Sequence, residues 1–193
     1  MNHSLCLTLT ALAIFGVPAQ GQATASESPA SATVSVGVRR TSLRDRSAWM
    51  VGGDALISFG HSFSLGGGGW VLAKPLGISG AEGGSDLELT ISYAGVQSEY
   101  RLARVGAGGL ALRVLVGAGS AKVSLPIVGT ELAADNFGVV EPEVGGVLSV
   151  GDFVQLRAQL GYRIVYGVED LPHIDPEHLR GATLTLSLLL GPF

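Results

Sequence analysis

Glu141, Glu143, Arg157 and Arg163 are charged residues set at even spacings inside otherwise apolar stretches. Residues two apart in an extended chain share a face, so these four point the same way from two neighbouring strands. A hairpin closing at Val150 to Asp152 sets Ser149 against Phe153, Glu143 against Gln159, and Glu141 against Gly161 beside Arg163. Arg101 and Arg113, with Glu99, extend the pattern. Carboxylates and guanidiniums enclosed together either pair and fill the space, which is the structural reading, or line a narrow gated pore, which is the functional one.

Two further groupings hold residue types that can do chemistry. His61 with Ser62, Ser64 and Asp54 has the makings of a Ser/His/Asp hydrolase, in which the nucleophile must lie within hydrogen-bond reach of an oriented base. Segment 168–180 gathers Glu169, Asp170, His173, Asp175, Glu177 and His178, which could hold a divalent ion. Their spacing matches no established zinc motif, and an exposed acidic loop is usually just solvated. No phosphate loop, dinucleotide fingerprint or paired-carboxylate site is present. The expectation is therefore no enzyme, no cofactor and no metal.

What must position the charges is a set of long strands. Phe153 to Tyr166 alternates strictly, with Phe153, Gln155, Arg157, Gln159, Gly161 and Arg163 on one face and Val154, Leu156, Ala158, Leu160, Tyr162, Ile164 and Tyr166 on the other. At about 3.3 Å per residue this stretch reaches roughly 46 Å, far beyond an ordinary globular strand of ~17–20 Å. Similar alternation predicts strands at 33–41, 48–60, 63–74, 86–104, 110–123, 137–150, 153–166 and 181–193. In 86–104 the apolar residues Leu87, Leu89, Ile91 and Tyr93 give way to Val96, Tyr100 and Leu102, which reads as a one-residue phase shift at Gly95. A β-bulge there keeps one strand, whereas a turn makes two. One strand gives an even count of eight, with turns 60–62, 105–109 and 151–152 on the side of the termini and connections 42–47, 75–85, 124–136 and 167–180 on the other. The four glycines at 66–69 suggest a bend or a close approach, and Pro142 costs its strand a ladder hydrogen bond.

Composition agrees with a membrane home. Charged residues are only 15% of the 193, against about 25–35% on a soluble surface, and there are just two lysines, Lys74 and Lys122. A net charge of −4 argues against nucleic acid. Residues 1–23 read as a cleaved signal peptide, which takes the only cysteine, Cys6, with it, and 24–32 as a flexible linker before the barrel at 33–193.

HSFSLGGGGW (61–70), YAG (93–95), EY (99–100), EPEVG (141–145), GYR (161–163) and the closing GPF (191–193) carry a resemblance to the small eight-stranded outer-membrane barrels of bacteria, of OmpA/OmpX type, and more narrowly to a family of outer-membrane β-barrel-domain proteins. The resemblance spans nearly all of 33–193 and implies an all-β, eight-stranded antiparallel up-and-down transmembrane β-barrel. It implies an outer-membrane, monomeric, non-enzymatic protein whose partners are lipid and, through the terminal Phe193, the assembly machinery. Two alternatives stand beside it: a soluble lipocalin-like barrel with an apolar ligand, and an outer-membrane lipid hydrolase. Trp49, Phe59, Phe63, Trp70, Tyr93, Tyr100, Tyr162 and Tyr166 fall near strand ends, as interface girdles or as ordinary sheet packing. If the charge ladder holds the interior together, Arg157→Ala lowers the temperature of barrel unfolding, and identical melting of variant and wild type by circular dichroism counts against it.

Overall fold

The computed structural model describes residues 31–44, 46–60, 62–79, 86–125, 130–168 and 176–192. They form one antiparallel sheet of β1 (Ser31–Leu43), β2 (Arg46–Phe59), β3 (Phe63–Leu72), β4 (Leu76–Ser79), β5 (Asp86–Val105), β6 (Gly108–Leu125), β7 (Thr130–Ser149), β8 (Val154–Tyr166) and β9 (Gly181–Leu190), with a single helical turn, α1 (Pro176–Leu179), before β9. Each strand pairs with the next except β3, which pairs with β5 rather than β4, and β1 pairs with β9, so the sheet closes on itself. Strands β3 and β4 lie along the same edge of β5 and are one stave interrupted at Ala73 to Pro75, where proline has no N–H to give the ladder. Nine segments thus make an eight-stranded barrel.

Alternation decides the two surfaces. Leu184, Leu186, Leu188 and Leu190 face outward with Val34, Val36 and Val38 of β1 and Leu156, Leu160 and Ile164 of β8, all at least 38% exposed. Thr183, Thr185, Ser187 and the Gln155, Arg157 and Gln159 row are buried inside. A soluble lipocalin-like barrel requires the reverse. On β2 the outward run from Trp49 to Phe59 passes Val51, Gly53, Ala55 and Ile57 without a charge. Ten residue steps of about 3.3 Å, tilted by roughly 35–45°, give an apolar band about 25 Å tall, the height of a hydrocarbon layer crossed by a barrel. Phe59, Phe63 and Tyr100 mark its end near the termini, and Trp49, Tyr162 and Tyr166 its other end. Trp70 and Tyr93 do not belong to these girdles, being 4% and 3% exposed and turned inward.

Several sequence expectations need correction. Strand β5 is one strand, but its register is unbroken at Gly95, and the irregularity falls between Arg101 and Ala103. Leu89, Ile91, Tyr93, Gln97 and Glu99 all face inward, so the interior face changes chemistry rather than phase. The β7–β8 hairpin is offset by two residues from the expected pairing: Ser149 meets Gln155 and Glu143 meets Gly161. Its ladder is interrupted at Glu141 and Pro142, where a bond was expected to be lost. Strands also run further than expected at the loop end: β1 and β2 leave only 44–45 between them, β6 and β7 only 126–129, and β4 occupies part of 75–85. Ser31 and Ala32 belong to β1 rather than to a linker, and β9 stops at Leu190.

The outward face makes a measurable claim. Val36, 60% exposed near mid-band, replaced by arginine is expected to destabilise the barrel in phospholipid vesicles by about 2–4 kcal/mol. On a water-facing surface the same change stays within ~0.5 kcal/mol, so denaturant titration separates the two cases.

Candidate functional site

The inward side chains are layered along the barrel axis. Nearest the termini are small and amide groups, including Ser58 and Ser64 joined hydroxyl to hydroxyl at 3.0 Å, and Gln155 donating to Ser149 at 3.0 Å. They border a cavity of about 560 Å³ at that mouth, lined also by Arg101 and Arg104. In the middle lie the charges. At the loop end lies an apolar cluster of Leu43, Met50, Trp70, Leu72, Leu89, Ile91, Phe137, Val139, Val165 and Leu179. Charged and polar groups therefore occupy only part of the interior's length, and the loop end is apolar.

Arg39 is the hub of the charged layer, and it was absent from the expected ladder. Its guanidinium donates to Glu141 and Glu143 on β7, to Tyr93 Oη at 2.7 Å and to Thr185 Oγ1 at 2.8 Å. The same plane lies 3.9 Å from the centre of the Trp70 ring, a cation–π contact in a dehydrated setting. Tyr93 Oη in turn donates to Glu141 at 2.9 Å. Arg113 bridges to a second group, reaching Asp54 at 2.7 Å, Gln159 Oε1 at 2.8 Å, Glu99 at 3.4 Å and Glu143 at 3.9 Å. Arg157 completes it, 2.9 Å from Glu99 and 3.5 Å from Asp54. Glycines on the facing positions make the room: a Cβ on Gly52 would stand 2.7 Å from the Trp70 ring, and one on Gly68 would stand 2.6 Å from the amide oxygen of Gln97.

Of the expected ladder, the structure brings together Glu141, Glu143, Arg157 and Arg113, with Glu99. Arg163 is a correction. It is buried, yet it points to the loop end and donates to the carbonyls of Leu179 at 2.8 Å and Ser42 at 3.4 Å, tying α1 and the β1 end across the mouth. Arg101 joins only at the margin: its Nε is 3.7 Å from Glu99, and its side chain is 36% exposed at the other mouth. Among the described residues, four buried arginines (39, 113, 157, 163) match four buried carboxylates (54, 99, 141, 143). Arg39 was legible in the alternation of β1, but its carboxylates stand on β7, three staves away across the β9 closure, and no local spacing reports that.

The hydrolase grouping does not survive as drawn. Asp54 is held by Arg113 and Arg157, and Ser64 by Ser58, while His61 lies outside the described residues. So do Glu169, Asp170, His173 and Asp175 of the acidic segment, and Phe193. Glu177 and His178 lie on α1, where the His178 carbonyl accepts from the Arg44 amide at 2.9 Å.

No protein-family model matches the chain, and no curated protein does. Solved structures do. Neisserial surface protein A is similar at a TM-score of 0.55 and 15% identity, covering 86% of this chain and 99% of that one. The attachment invasion locus protein Ail of Yersinia pestis, solved in complex with the heparin analogue sucrose octasulfate, is similar at 0.52 and 14%, covering 84% and 97%. The N-terminal β-barrel domain of Pseudomonas aeruginosa OprF follows at 0.50 and 12%, covering 84% and 99%. The chain has the fold of the small eight-stranded outer-membrane barrels, as the resemblance in its sequence implied.

Removing Arg39 leaves buried Glu141 without its cation and Glu143 with only Arg113, at 3.9 Å. Arg39→Ala is expected to cost about 3–5 kcal/mol, against ~0–1 kcal/mol for Arg101→Ala at the exposed mouth. Denaturant unfolding of both variants checks the ranking, and equal costs would remove Arg39 from the centre of the network.

Proposed function

We propose that this chain is a resident outer-membrane barrel, monomeric and non-enzymatic, whose interior is closed by its own side chains and whose role is structural or lies in contacts made at the envelope surface. The observation that carries the reading is the pairing of an apolar exterior about 25 Å tall with an interior in which arginines and carboxylates are buried against one another. An eight-stranded barrel has just enough internal width for side chains. Here the apolar cluster at the loop end adds a second barrier beyond the charges, and α1 caps it through Leu179, which is 1% exposed. Water and ions crossing the barrel would have to pass both.

Outer-membrane lipid is the partner of the apolar face, and the assembly machinery is the partner expected during insertion. The pore reading requires the Arg39 pairs and the Trp70 cluster to separate together, and the number of contacts holding Arg39 disfavours it. Refolded in detergent, the full chain is expected to run faster unheated than boiled. In planar bilayers it is expected to show no discrete current steps. Steady single-channel steps would overturn the closed interior, and absence of heat-modifiable mobility would overturn the membrane barrel itself.

A further inference from the structure

Arg101 and Arg104 stand three residues apart, a spacing that sends side chains to opposite faces of a regular strand. Both nevertheless line the cavity of about 560 Å³ at the mouth beside the termini. The irregularity in β5 is the reason. Arg101 pairs with Ala111, Ala103 with Leu110 and Arg104 with Gly109, so Leu102 is an extra residue that returns the second arginine to the inward face. In an unbulged strand Arg104 would meet Gly108 and point outward. Gly108 and Gly109 also bring no side chain into the space.

Neither guanidinium is used up by the protein. Arg101 Nε is 3.7 Å from Glu99 Oε1, but Glu99 is already held through Oε2 by Arg157 at 2.9 Å and Arg113 at 3.4 Å. The Arg104 guanidinium has no acceptor among the described residues. The wall around the two arginines offers donors, and no Asp or Glu is among the described residues that line it. The Ser58–Ser64 contact uses one of two O–H groups, and Ser149 accepts from Gln155 Nε2 while keeping its own O–H. Ser31 adds a further hydroxyl. Free guanidiniums, spare hydroxyl donors and no lining carboxylate make a site for an oxyanion.

We infer that this cavity binds a small, hydroxyl-bearing organic oxyanion of the sugar phosphate class, with Arg101 and Arg104 on the phosphate. A guanidinium presents parallel N–H donors that fit phosphate oxygens. Ser31, Ser58, Ser149 and Gln155 are then left to meet the hydroxyls of the sugar. The volume falls within the roughly 300–1,000 Å³ of small-molecule sites, more than one inorganic anion fills. The ligand reaches it from the aqueous side that carries the termini. The outer-membrane reading makes that side the periplasm, and the inference rests on that reading for the compartment alone.

The test is equilibrium dialysis of the full chain refolded in nonionic detergent, against glucose 6-phosphate, glucose and inorganic phosphate in turn. Glucose 6-phosphate is expected to bind about tenfold tighter than either of the other two. That preference is expected to vanish in Arg101→Gln/Arg104→Gln and to persist in Arg46→Gln, which lies at the opposite end, with heat-modifiable mobility showing that both variants fold. No binding of glucose 6-phosphate, equal affinity for it and inorganic phosphate, or an unchanged preference in the double variant overturns the inference. A wild-type chain that never becomes heat-modifiable overturns the outer-membrane reading as well, so the two failures are distinct.

Discussion

In hydrocarbon no water is available to the backbone, so every N–H and C=O must find a partner within the protein, and a sheet can achieve this only by closing. Closure with eight staves then sets the diameter, and the diameter leaves an interior the width of side chains. Whatever the sequence turns inward must be satisfied by whatever else it turns inward. The charged layer follows from that constraint: Arg39, Arg113 and Arg157 have no solvent to ionise against, and each is met by carboxylates from strands on other sides of the barrel. The inward glycines follow from it too, because Trp70 and Gln97 occupy the volume that side chains at Gly52 and Gly68 would claim.

The layering of the interior divides the labour. At the loop end, aliphatic and aromatic groups pack without any need for partners, and Arg163 spends its donors on the carbonyls of Leu179 and Ser42, binding the capping turn to the wall. Arg39 stands at the boundary, with carboxylates on one side and the Trp70 ring on its face. A cation there serves both layers, and among the described residues no other interior side chain makes as many kinds of contact.

The fold was legible because alternation is a local property. The β8 and β9 faces can be read residue by residue, and the even strand count resolved the ambiguity in β5. What was not legible is whatever depends on contacts across the barrel. The change on β5 from Tyr93 to Gln97 looked like a slip of phase because an apolar inward surface was not anticipated, whereas the barrel uses one to close its loop end. The β7–β8 offset depended on where the chain turns: the Val150 amide donates to the Val154 carbonyl, so the turn lies one residue later than assumed and each partner moves by two. Arg39 and Asp54 were each visible on an inward face, but their partners come from staves distant in sequence, and only closure of the cylinder makes them neighbours.

The β1–β9 pairing has a temporal consequence. Adjacent strands elsewhere in the barrel follow one another along the chain and can pair locally, but Val34 meets Leu190 only when the two far ends of the sheet come together. Until then the sheet carries two raw edges, and Arg39 has lost the Thr185 hydroxyl that β9 supplies. Closure therefore waits on the pair most distant in sequence: neither edge is quenched before β1 and β9 find each other.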